Sequence, residues 1–97
     1  MSNVIKDKVQ KARDFMFTEI RIEGVVARSY NKDEQRAKAL PLIKEGMDAE
    51  NGDAYDLMGQ MYATGLKANG NIIPIDYQKA KEHFEQAIKK LPKAVPV

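Results

Sequence analysis

From Asn3 the apolar positions Ile5, Val9, Ala12, Met16 and Ile20 recur every three to four residues, with charged residues between them. That is the period of an amphipathic helix, and Gly24 is placed to end it. The run "TEIRIEG" alternates as a strand does, yet a single strand has no partner to complete it, so the segment is assigned to the helix end. "ARSYNKDE" then supplies polar capping residues, with Asn31 three positions before Glu34 as in a capping box, and a second helix is expected from Asp33 to Ala49. Pro41 inside it predicts a bend or a later start, because proline lacks the amide donor and crowds the preceding turn.

The stretch "ENGDA" breaks the chain, Asp53 is a candidate N-cap, and a third helix is expected over Ala54 to Thr64. Its apolar face is Ala54, Leu57, Met58, Met61 and Tyr62. Gly65 closes it, and Asn69-Gly70 in the loop "LKANGNIIPI" suits a small hairpin-like excursion. Asp76 is placed to cap a fourth helix ending near Leu91, with Tyr77, Ala80, Phe84, Ala87, Ile88 and Leu91 as its buried stripe. "LPKAVPV" reads as a loose tail.

The halves resemble one another. "ARDFMFTEI" aligns with "AYDLMGQMY" and "DEQRAKA" with "DYQKAKE", at offsets of 42 and 43 residues. Two agreeing offsets predict a helix–turn–helix unit duplicated once. On the residues Ala54, Met58-Gly59, Tyr62, Gly65, Asp76, Lys79-Ala80 and Ala87, the segment 51–90 resembles the Sel-one-like repeat, a relative of the tetratricopeptide repeat. The resemblance implies an all-α fold, a short right-handed α-solenoid of two antiparallel helix pairs. It divides a single domain over 1–97 into a degenerate helix pair (3–49), a Sel-one-like repeat (51–91) and a tail (92–97). The first half departs from the pattern at Phe17, Ile20 and Pro41. Gly59 in a helix interior costs about 1 kcal/mol against alanine, which close packing of paired helices offsets. Ala80 is its expected partner, with Met58, Tyr62 and Phe84 filling the space alongside.

Composition narrows the chemistry. With 97 residues, 43% of them hydrophobic, the chain is sized for one core. It has no cysteine, which removes disulfides, thiolate ligands and cysteine nucleophiles. Sixteen Lys and Arg against 14 Asp and Glu leave a net charge of +2, too little to mark a nucleic-acid binder. The charged opening "MSNVIKDKVQKARDF" and the lack of an apolar run of roughly 20 residues predict a soluble, cytoplasmic chain.

No catalytic set assembles in the sequence, so an enzyme is not expected. His83, the one histidine, reads as solvated or edge-packed, and Asp53 and Asp76 read as caps. No metal or cofactor is expected. The resemblance implies that the first helix of each pair lines a concave face, making Tyr55, Asp56 and Gln60 candidate partner contacts, with Arg13, Asp14 and Thr18 as their counterparts. The expected function is a non-catalytic interaction module that binds a protein or peptide as adaptor, inhibitor or accessory subunit, and that has scope to self-associate. The alternative is a nucleic-acid-associated protein using Lys6, Lys8, Lys11, Arg13, Arg21 and Arg28, which interleaved carboxylates disfavour.

Overall fold

The first helix stops at Met16, well before Gly24, and Phe17 opens a β-hairpin. The computed structural model describes residues 3–90. Along the chain run α1 (Asn3–Met16), β1 (Phe17–Ile22), β2 (Val25–Tyr30), α2 (Asp33–Ala37), α3 (Leu40–Asp48), α4 (Gly52–Thr64), β3 (Leu66–Ala68), β4 (Asn71–Ile73) and α5 (Tyr77–Lys90). The expected all-α solenoid is therefore incorrect: the fold is mixed, helices carrying two antiparallel hairpins, β1–β2 and β3–β4.

The physical reason lies in residues 17–30. Phe17, Thr18, Ile20, Ile22, Val25, Val26 and Tyr30 are β-branched or aromatic, side chains that suit a pleated surface. Between the runs, Glu23 and Gly24 both take positive φ, 49° and 82°, as a two-residue hairpin turn requires. "TEIRIEG" does have a partner: the segment read as polar capping residues. Register runs from Phe17 opposite Tyr30 to Ile22 opposite Val25. The alignment of "ARDFMFTEI" with "AYDLMGQMY" fails here, since the first crosses from helix to strand at Phe17 while the second stays within α4. The second hairpin turns at Asn69-Gly70, where both residues again have positive φ.

Several local expectations need correction. Asn31 forms no capping box, and no side chain caps α2, whose N-cap residue is Lys32. Asn51, not Asp53, caps α4, its Oδ1 accepting from the Ala54 amide at 3.1 Å. The segment 33–49 is two helices with a break at Lys38-Ala39, and Pro41 sits in the first turn of α3, where its missing amide costs no bond. Asp76 does cap α5, accepting from the Lys79 amide at 3.0 Å. Leu91 and the tail 92–97 lie outside the described residues.

The core gathers α1, α3 and α4, with Met16, Ile43, Leu57 and Met61 fully buried. α5 packs along the opposite side of α4. There Gly59 admits the ring of Phe84: a Cβ at that position would fall 2.6 Å from Phe84 Cε1. The close-packing role expected of Gly59 is present, with Phe84 rather than Ala80 as the nearest group. Within α5 only Ala80 and Ala87 are buried, whereas Tyr77 and Ile88 are each 71% exposed, so the expected stripe is narrower than its apolar residues suggested.

Candidate functional site

The β1–β2 hairpin adds almost nothing to the core. Every residue from Thr18 to Tyr30 is exposed, and among the residues of β1 and β2 Phe17 alone packs against the buried cluster. Strand alternation sorts its side chains onto two faces. One carries Phe17, Glu19 and Arg21 with Val26, Arg28 and Tyr30. The other carries Thr18, Ile20 and Ile22 with Val25, Ala27 and Ser29, and it has no charged side chain.

The charged face is internally satisfied. The Phe17 and Tyr30 rings lie 5.0 Å apart, and the Arg28 guanidinium sits over Phe17 at 5.4 Å. Glu19 approaches Arg21 at 3.6 Å and Arg28 at 4.0 Å, long contacts between exposed groups that add little stability. The uncharged face has no such cover. Ile20 is 50% exposed, Ile22 65% and Val25 67%.

The base of the hairpin is pinned to the helices by polar contacts that include most of the candidate residues. Tyr30 donates its hydroxyl to Gln60 Oε1 at 3.0 Å, and Gln60 Nε2 donates to Asp56 at 3.1 Å. Asn31 Oδ1 accepts from the Thr18 hydroxyl, while Asn31 Nδ2 donates to the backbone carbonyls of Asp14 and Phe15 at 3.2 and 2.9 Å. The Asp14 carboxylate accepts from Gln10 at 3.2 Å, and Arg13 reaches Asp53 at 3.8 Å. Arg13, Asp14 and Thr18 thus come from the end of α1 and the start of β1, not from one helix. Asp56 and Gln60 lie on α4 and reach the hairpin through Tyr30.

Tyr55 does not join this group. Residues adjacent on an α-helix point about 100° apart, so Tyr55 and Asp56 look in different directions. Tyr55 belongs to a ladder along α4 and α5 with its ring 6.2 Å from His83, whose ring in turn is 5.1 Å from Tyr62. Lys90 lies over Tyr55 at 5.1 Å and Lys79 over Tyr62 at 5.5 Å, closing both ends with a cation. The hydrogen bond from Lys90 to Glu50 raises the ammonium pKa above its ordinary 10.5. His83 is edge-packed in this ladder, its Nδ1 2.7 Å from the Lys79 carbonyl.

Sequence reasoning missed the uncharged face and Tyr30. The signal was present: two alternating runs around Glu23-Gly24 mark a hairpin, and pairing them fixes which side chains share a face. Among the described residues no helix is long and apolar enough to cross a membrane. Compared with protein-family models, with curated proteins and with solved structures, the chain matches none.

Proposed function

We propose that the chain is a non-catalytic protein-interaction module, and that its principal docking element is the uncharged face of the β1–β2 hairpin. The observation that carries this is the exposure of Ile20, Ile22 and Val25 on a face without charge, projecting from a core to which, of β1 and β2, only Phe17 contributes. A two-stranded hairpin is marginally stable in water unless a packed face or further strands support it. Leaving those side chains in solvent forgoes burial worth about 25 cal/mol per Å² of apolar surface. A protein or peptide segment with apolar side chains, laid on this face, recovers that burial. The polar contacts at the hairpin base, through Thr18, Asn31, Tyr30 and Gln60, hold the projection at a fixed angle and so reduce the ordering cost on binding.

The resemblance of residues 51–90 to Sel-one-like repeats supports a recognition role, and is retained for the α4–α5 pair alone. The test is a photo-crosslinking residue placed at Ile22 in the full chain in its native cell. A discrete crosslinked protein, lost when Val25→Asp charges the face, is the expected result. Absence of any heterologous crosslink at Ile22, with ready crosslinking from a helix position such as Ile88, would place the docking surface elsewhere.

A further inference from the structure

Beside the uncharged face runs the outer edge of β1. Among the described residues, β1 pairs only with β2, and no other backbone group bonds to it. The phase of the ladder shows which groups that edge offers. The Asn31 amide donates to the Met16 carbonyl at 2.9 Å, one step below the Phe17–Tyr30 pair. Hydrogen-bonded and non-bonded pairs alternate along an antiparallel ladder. Thr18, Ile20 and Ile22 therefore turn their backbone groups toward β2, whereas Phe17, Glu19 and Arg21 turn theirs outward.

We infer that this edge pairs with the same edge of a second copy of the chain, antiparallel about a two-fold axis through Ile20. In that register Glu19 lies opposite Arg21 of the second copy and Arg21 lies opposite its Glu19. Ile20 meets its own symmetry mate, and Thr18 meets Ile22. The two Glu19–Arg21 pairs are also the pairs whose amides and carbonyls point outward, so the charge contacts and the hydrogen-bonded rungs coincide. Opposite charges directly across a ladder stabilise it, and like charges destabilise it.

Neighbouring registers are disfavoured by the same residues. Sliding the pairing so that the axis moves one residue along β1 sets Glu19 against Glu19, or Arg21 against Arg21. Placing the axis between residues sets Glu19 beside Ile20, mixing the charged and uncharged faces. The β2 edge offers no equivalent: Arg28 is its one charged residue, and its base is tied to α4 through Tyr30 and Gln60. The product is a four-stranded sheet with Ile20, Ile22, Val25 and Ala27 of both copies on a single face. The inference rests on the hairpin being an interaction element, and it deepens that proposal by doubling the docking face.

Sedimentation velocity from low micromolar to submillimolar concentration tests it, with far-UV circular dichroism to verify that each variant keeps its helices. The full chain is expected to dimerise reversibly. Glu19→Arg and Arg21→Glu each set like charges across both rungs, so each weakens self-association by roughly tenfold or more. Mixing the two variants restores the dimer. The arginine introduced by Glu19→Arg then faces the glutamate introduced by Arg21→Glu, and on the other rung the retained Arg21 faces the retained Glu19.

A chain that stays monomeric throughout, or single variants that dimerise as the parent does, would overturn the pairing. Failure of the mixture to associate would overturn this register. Val25 lies on β2, away from the joined edges. Loss of the heterologous crosslink in Val25→Asp with dimerisation intact therefore isolates the face from the edge, and a monomeric parent that still crosslinks its partner refutes the dimer alone.

Discussion

Gly46 and Gly59 both lie where a Cβ would fall 2.6 Å from a neighbouring side chain, but the atoms they would strike differ. At Gly46 these are Ala54 Cβ, fixed close to the backbone of α4, and Val9 Cγ2 on α1. At Gly59 it is the ring of a half-buried Phe84, which has room to turn aside. Gly46→Ala is therefore expected to lose about 1–3 kcal/mol by overpacking the α1–α3–α4 junction. Gly59→Ala should stay within about 1 kcal/mol of the parent, since better helix propensity offsets the displaced ring. Gly59→Leu exceeds what the ring can yield and should cost about 2–3 kcal/mol, whereas Gln60→Ala stays within about 0.5 kcal/mol. Urea unfolding of the four variants checks the order, and equal losses at Gly46 and Gly59 would contradict it. The packing need at Gly59 was legible because glycine in a helix interior is costly. That at Gly46 was not, because it depends on α1 and α4 both meeting α3 there.

A second residue-scale expectation concerns Asp33. Its carboxylate accepts from Arg36 at 2.7 Å and from the Lys67 amide at 2.9 Å. These bonds, the one from Arg36 first, lower its pKa below the ordinary 3.8. A depressed carboxylate contributes stability that is present above the unfolded-state value and lost as pH falls through the folded one. Asp33→Asn should thus flatten the acid limb of a stability–pH curve below about pH 4, with lower stability than the parent at neutral pH. An unchanged acid limb would remove Asp33 from the linkage.

At the scale of elements, the two hairpins show what local sequence does and does not reveal. Asn69-Gly70 announced a turn by residue type alone, and β3–β4 forms around it. Glu23-Gly24 is a weaker announcement, because glutamate rarely takes φ near 49°. The alternation in "TEIRI" was visible, but the α1 period ran through Met16 to Ile20 and favoured continuing the helix. Pairing with Val25–Tyr30 decides the conformation, and that is a non-local fact. Glu23→Asn puts a residue tolerant of positive φ at the turn, so it should strengthen the hairpin. Amide exchange measured by NMR should then slow at Ile20 and Ala27, while Gly24→Val, strained at φ 82°, should speed it. No change at either amide would show that the turn does not limit hairpin stability.

For the whole molecule, Arg36 joins the two halves. Its side chain, buried on α2, donates to Thr64 at 2.8 Å and to the Gly65 carbonyl at 2.9 Å at the end of α4, and to the Asn31 carbonyl at 3.1 Å. Arg36→Leu strands these acceptors and should cost about 2–4 kcal/mol in thermal or urea unfolding. A loss under about 1 kcal/mol would mean that the network is dispensable. In the sequence this arginine looked like one more charge on a helix, since nothing local marks a guanidinium for burial. The apparent duplication likewise does not carry into the structure: Asp76 caps α5 whereas Asp33 lies inside the five-residue α2, and the β1–β2 hairpin occupies the place of a helix continuation. Of the candidate contacts, Thr18 and Gln60 bond hairpin-base residues and Asp56 joins them through Gln60, whereas Arg13 turns to Asp53, the Asp14 carboxylate to Gln10, and Tyr55 to His83.

The central claim is that the hairpin serves recognition and leaves the helical core self-sufficient. Replacing residues 18–29 by a short glycine-rich turn, and following thermal unfolding by circular dichroism at 222 nm, tests it most directly. A cooperative transition within about 5 °C of the parent is the predicted result. Loss of cooperativity, or a midpoint lower by more than about 10 °C, would show that β1–β2 is part of what holds the fold together.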